Sequence, residues 1–311
     1  LRGQHCCHND FLLNGILKKD WKFDGVVISD WGGVHNTDQA VNNGLEIEMG
    51  TWTNGLTTNS KSPYSSYYMA DPFLNGIKSG KYKEDILNDK VRRILRMIFR
   101  TTMNKNRPYG KFVSPEHSEV ARKIAQEGIV LLKNNNQFFP VPVGKYKRIA
   151  VIGDNATRSG TFGGGSSSLK VKYEVSILEG LKLKYGKENI IYSKGYDSES
   201  ESKDSNNTND SLFTTAITIA KDADLVLFIG GLNKNNFQDC EGNDRLSFNL
   251  PYNQDKLISA LSKVNKKTAV ILVSGNAVPM PWIKEVPAII QSWYLGSEAG
   301  NALADIVSGK V

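Results

Sequence analysis

Apolar residues Leu12, Leu13, Ile16 and Leu17 recur at helical spacing behind Asn9-Asp10, so the chain is expected to open with a capped helix. Phe23-Asp24-Gly25 then turns into Val26-Val27-Ile28. A short apolar run bounded by turn signals is the pattern of a fully buried parallel strand. Ser29-Asp30-Trp31 stands at its carboxyl end. A helix over 37–43 and a short strand over 45–49 are expected next. Residues 50–68 are rich in Gly, Ser, Thr and Tyr and read as a long loop. Leu87, Val91, Ile94, Leu95, Ile98 and Phe99 then fall on one helical stripe. Asn104, Asn106, Pro108 and Gly110 break the pattern and give 102–113 the look of a linker.

The second half opens on Ser114-Pro115-Glu116, an N-cap, a proline at the first helical position and an acid in the first turn. The helix it starts is expected to reach about Lys133. Strands are expected over 148–152, 190–192, 224–230, 268–274 and 288–294. Helices are expected over 176–185, up to Lys221, over 254–264 and over 298–307. Residues 160–168 form a Gly/Ser-rich loop, and 197–211 a polar insert. Strands alternating with helices argue for a parallel sheet covered on its faces.

Composition narrows the classes. The chain has 40% hydrophobic and 23% charged residues, ordinary for a globular protein. The net charge of +7 is scattered, as in Arg92-Arg93 and Arg96 within the amphipathic helix, which argues against nucleic acid as a partner. No run of 18 apolar residues exists, so no membrane span is expected. His5-Cys6-Cys7-His8 resembles a metal cluster at first sight. On an extended chain its side chains would alternate between faces, and the spacing fits no zinc pattern, so no metal is expected. Adjacent Cys6 and Cys7, with Cys240, give no disulfide framework. N-x-S/T tripeptides occur at Asn155, Asn206 and Asn209.

Two acids carry candidate chemistry. Asp30 lies past the carboxyl end of an expected parallel strand, the face where α/β barrels place their sites. Trp31 beside it offers an aromatic surface to a sugar ring. The competing reading is that Asp30 caps the turn and Trp31 fills core. Glu241 lies in a polar loop about ten residues past the strand over 224–230, again at the carboxyl edge of a sheet. Asp244 and Arg245 are candidates to brace that loop. The competing reading there is a solvated acidic loop. A carboxylate pair ~5–5.5 Å apart is what a retaining glycosidase needs, and the sequence does not fix that distance. A nucleotide-binding reading rests on the strand over 148–152 followed by glycines. Asp154 and Asn155 stand where small residues are needed, and G-x-G-x-x-G is not formed.

Beyond these residues, several segments resemble glycoside hydrolase family 3, in order along nearly the whole chain. Asp24-Gly25-Val26-Val27-Ile28-Ser29-Asp30-Trp31 is similar to the segment around the family's catalytic aspartate. Gly44-Leu45-Glu46-Ile47-Glu48-Met49 and Val91-Arg92-Arg93-Ile94-Leu95-Arg96 continue the likeness through the barrel. Ala125-Gln126-Glu127-Gly128 and Ile149-Ala150-Val151-Ile152-Gly153 resemble the entry to a second domain. Gly163-Gly164-Gly165-Ser166 resembles that domain's first loop. Glu241-Gly242-Asn243-Asp244-Arg245 with Leu250-Pro251 resembles the loop bearing the acid/base in β-glucosidase-like members. Met280-Pro281-Trp282, Trp293-Tyr294 and Gly300-Asn301-Ala302 complete it.

The resemblance implies an α/β protein: the C-terminal part of a (β/α)8 barrel at 1–103, a linker at 104–113, and an α/β sandwich with a mainly parallel sheet at 114–311. It implies Asp30 as nucleophile, Glu241 as acid/base held protonated by its surroundings, and Trp31 lining the sugar site. The expected activity is retaining cleavage of terminal β-D-glucosyl or related residues, with no cofactor. Alternatives are a β-xylosidase or other exo-β-glycosidase, and a non-catalytic carbohydrate-binding fragment. Glu241 in the second domain leans toward β-glucosidase. Phe248 and Gly50 replace the family's usual Leu and Pro, the first expected as a mild core change. The early barrel strands, with a Lys-His pair that grips sugar hydroxyls, have no counterpart here, so the chain is expected to be truncated at both ends. A secreted or periplasmic location is the family's lean.

Overall fold

A computed structural model describes residues 1–49, 67–158, 160–161, 164–198, 210–234 and 237–311. The loop expected over 50–68 and the insert over 197–211 lie almost wholly outside the described residues, as do Gly50, Gly163, Asn206 and Asn209. The chain forms two compact units, Leu1–Gly110 and Lys111–Val311.

In the first unit, the expected opening helix is Phe11–Asp20, wound with wide i→i+5 turns. Helices α1 (Thr37–Asn42), α2 (Asp71–Lys78) and α3 (Glu84–Arg100) follow. The Asn36 side chain caps α1 by accepting from Gln39 N at 2.9 Å. The two expected strands reduce to a single parallel bridge, Ile28 to Ile47. Val26 and Val27 are half-buried and Ile28 is 46% exposed, so the segment is not the fully buried strand its composition predicted. Among the described residues this segment has a pairing partner on one side only. The stripe on α3 is likewise only half covered. Leu87, Ile94 and Ile98 pack, while Val91, Leu95 and Phe99 face out. The polar flank of α3 does more to fix the segment before Asp30. Arg93 donates to the carbonyls of Phe23 and Gly25, both at 3.2 Å. Arg100 grips Asp24 with two bonds at 2.7 and 2.8 Å.

The second unit is a six-stranded sheet between helices. Its strands are β1 (Val130–Asn134), β2 (Ile149–Ile152), β3 (Ile190–Ser193), β4 (Leu225–Gly231), β5 (Thr268–Val273) and β6 (Ala288–Gln291). Spatial order is β1-β6-β5-β4-β2-β3, parallel throughout except that β1 runs antiparallel to β6. The helices are α4 (Pro115–Gly128), α5 (Ile177–Tyr185), α6 (Asp210–Asp222), α7 (Gln254–Val264) and α8 (Ala299–Ser308). Alternate strand residues feed two cores. Val151, Leu227, Ile271 and Ile290 pack with Leu181 of α5 and Leu303 of α8. Ile152, Phe228, Val270 and Ile289 pack with Ala220 of α6 and Leu257 of α7. Both faces being covered explains why β2, β4, β5 and β6 read as continuous apolar runs.

Ser114 caps α4 as expected, but the helix stops at Gly128 instead of reaching Lys133. Ile129 and Val130 leave the helix, because the β-branched run pairs with β6 along the sheet edge. Among the described residues no helix is long and apolar enough to cross a membrane.

Candidate functional site

Asp30 sits on the turn after the Ile28–Ile47 bridge. Buried Ser29 ties the turn to the neighbouring segment. Its amide donates to Ile47 O at 2.9 Å, its Oγ accepts from Met49 N at 2.8 Å and donates to Asp30 O at 3.0 Å. Asp30 Oδ1 accepts from Trp31 N at 2.8 Å, and Asp30 O accepts from Gly33 N at 3.0 Å. Asp30 therefore caps its turn while its carboxylate stays exposed. Trp31 is 67% exposed and fills no core in this unit.

The structural roles of three charged residues went unread in the sequence. Glu46 is buried, accepts from Val27 N at 2.8 Å and pairs with Lys18. Buried Lys90 donates to Leu45 O, and desolvation pushes its ammonium down to about 8. These bonds hold the two bridged segments in register. Glu48 accepts from Met69 N at 2.7 Å and Tyr68 N at 3.3 Å, and burial pushes its carboxyl up. The faint signal was a carboxylate and a lysine inside apolar patterns, at Leu45-Glu46-Ile47 and next to Val91.

His5-Cys6-Cys7-His8 is not the extended segment its side-chain alternation required. Cys6–His8 form a tight 3-10 turn. Cys7 Sγ donates to Gly33 O at 2.6 Å, and His5 stacks on His35 at 3.9 Å. Among the described residues no group of three or more His, Cys, Asp or Glu is placed to hold a metal ion.

Glu241 belongs to the second unit, on the loop after β4. It is exposed, and its Oε2 accepts from the backbone amide of Ser166 at 2.5 Å. Hydrogen bonding from Ser166 lowers its carboxyl, so the surroundings of Glu241 within this unit favour the charged form rather than the protonated one the sequence reading expected. The glycine-rich loop lies directly against it. Gly165 adopts φ +78°, and a Cβ on Gly164 would come within 2.6 Å of Lys234 O. Only glycines let the two loops approach this closely.

Asp239 anchors the acid's loop. It accepts from Gly275 N at 2.6 Å, Asn276 Nδ2 at 2.6 Å and Tyr294 OH at 2.8 Å. Of the two residues expected to brace the loop, Arg245 makes such a charge-assisted contact, donating to Ala277 O at 2.9 Å, and it lies over the Phe248 ring at 5.5 Å. Phe248 is 61% exposed, so its replacement of the family's Leu is a surface change in this unit and not a core one. The tripeptide at Asn155 is not a free acceptor, since Asn155 is buried and donates to Leu232 O at 2.8 Å.

Comparison with known proteins decides the family. Residues 129–311 match the model of the glycosyl hydrolase family 3 C-terminal domain. The chain belongs to glycosyl hydrolase family 3. Among its family 3 relatives, the β-glucosidase BoGH3A of Bacteroides ovatus is 52% identical over 321 residues, spanning 100% of this chain and 43% of that protein. Thermostable β-glucosidase B of Acetivibrio thermocellus is 35% identical, spanning 100% of this chain and 38% of that protein. A solved family 3 β-glucosidase of Bifidobacterium adolescentis superposes with a TM-score of 0.81 at 29% identity, covering 99% of this chain and 42% of that one. The chain thus spans less than half the length of these relatives. The six-stranded, mainly parallel sheet with its helices is the α/β fold of the family's C-terminal domain.

Proposed function

We propose that this chain carries the nucleophile and the acid/base of a retaining exo-β-glycosidase acting on terminal β-D-glucosyl residues. The observation that supports it most is the likeness, over its whole length, to a protein described as a β-glucosidase at 52% identity. On this reading residues 1–103 are the C-terminal part of a (β/α)8 barrel, 104–113 a linker, and 114–311 the sandwich domain. Asp30, on a turn fixed through Ser29, attacks the anomeric carbon as the glycosidic C–O bond breaks. Glu241 gives its proton to the leaving oxygen. In the second step Glu241 takes a proton from water, the water oxygen bonds to the anomeric carbon, and the bond to Asp30 breaks. Two inversions return the original configuration. The bonds from Ser166 favour ionised Glu241, the form that the second step requires. Trp31, exposed beside Asp30, presents its ring to the sugar.

The test is to incubate the full chain with an activated 2-deoxy-2-fluoro-β-glucoside and map the adduct by peptide mass spectrometry. A sugar on Asp30 is expected. A sugar on another carboxylate would overturn the assignment. Labelling by the xyloside analogue in preference to the glucoside would move the substrate to β-xylosides.

A further inference from the structure

The parallel strands of the sheet run β3-β2-β4-β5-β6, so the direction of winding reverses between β2 and β4. Ligands of open α/β sheets bind outside the carboxyl ends of the strands at such a reversal. A cavity of about 190 Å³ lies at this position. Asn155, after β2, reaches across to the Leu232 carbonyl, after β4, and forms part of its wall. Glu241 does not line it.

The chemistry of the wall is uneven. Ile177, Leu232, Val273 and Leu295 make it apolar, and Trp293 and Tyr294 add two rings. Trp293 is 41% exposed, so one of these rings is open to solvent. No acid is among the described lining residues. Two cations do line it. Arg158 already has a counter-charge, its Nε donating to Asp154 at 2.9 Å and to Ser198 at 2.8 Å. Lys234 is half-buried, lies 4.8 Å from the Tyr294 ring centroid, and forms no ion pair among the described residues. The wall thus carries an ammonium with no carboxylate paired to it among the described residues, and an entering anion supplies that counter-charge. One unpaired charge suits a carboxylate. The volume is below the roughly 300–1,000 Å³ of drug-sized sites, so the occupant is small.

We propose that this cavity is a second ligand site, taking a small aromatic carboxylate with Lys234 as its counter-ion and the Trp293–Tyr294 rings as its apolar wall. It is independent of the glycosidase reading. Its Tyr294 also bonds Asp239, two residues before Glu241, so an occupant would touch the anchor of that loop.

The probe is 4-fluorobenzoate, titrated into the full chain and followed by fluorine NMR. Saturable one-to-one binding is expected. Lys234→Met should weaken it at least ten-fold and Lys234→Arg less than three-fold. The neutral 4-fluorobenzamide should bind at least ten-fold more weakly to the native chain, a comparison that holds even if Lys234→Met misfolds. Equal binding of the two probes, absence of saturation, or displacement by glucose would each overturn the proposal.

Discussion

A Cβ placed on Gly165 would lie 2.6 Å from both the Cβ and the Oε2 of Glu241. The acid and the glycine-rich loop are thus shaped to each other, and the φ of +78° at Gly165 adds a second demand for glycine. Gly165→Ala should displace Glu241 and cut kcat on 4-nitrophenyl β-D-glucoside at least ten-fold. Left-handed strain should cost about 1–2 kcal/mol of stability. An unchanged kcat would remove Glu241 from the reaction.

Ser166 sets the ionisation of the same carboxyl. Its hydrogen bonds lower Glu241, so Ser166→Ala should raise it. A general acid is lost as pH rises through its pKa, so the alkaline limb of the kcat/KM profile should move to higher pH in the variant. A limb that stays in place assigns it to another group.

Asp239→Ala leaves Gly275 N, Asn276 Nδ2 and Tyr294 OH without their shared acceptor. Gly275 and Asn276 are exposed and can turn to water, so about 1–2 kcal/mol of stability should be lost. For a unit of this size that is roughly a 3–6 °C fall in Tm by calorimetry. Tyr294→Phe removes one of the three bonds and should cost about a third to a half as much.

Lys90 gives a pH signature. Its pKa is depressed to about 8 by burial, against an unfolded value of about 10.4. Between those two values the unfolded chain holds a proton that the folded one does not, so stability rises with pH across that window. The gain should be on the order of 1–3 kcal/mol. Urea titrations at pH 7 and pH 10 should show a smaller rise for Lys90→Met than for the native chain. Parallel curves would mean that Lys90 is solvated.

The sheet of the second unit was legible because strands buried on both faces are apolar throughout, as in Leu225–Gly231 and Thr268–Val273. Helix α7 carried its own boundaries, and Gln254–Val264 matches the pattern residue for residue. β1 was missed since Val130 and Leu131 continue the apolar spacing of α4, and only pairing with β6 distinguishes them. In the first unit, Val26-Val27-Ile28 has the composition of a buried strand but one pairing partner among the described residues. Position at the ends of expected strands made Asp30 and Glu241 candidates, and only the family resemblance gave them expected roles. Asp239 could not, since its role rests on Tyr294, 55 residues later. Lys90 was hidden for a similar reason, its carbonyl partner lying 45 residues earlier.

The antiparallel edge imposes an order on synthesis. Val130, at the start of β1, pairs with Gln291 at the end of β6, and Asn134 with Ala288. At ~5–20 residues per second, β1 leaves the ribosome roughly 10–30 s before its partner is made. Its apolar Val130, Leu131 and Leu132 must wait through that interval with no strand beside them, and the edge closes only when nearly the entire unit has been translated. The nascent chain is therefore most exposed to mispairing at its first strand, and a chaperone acting on this unit would find its target there.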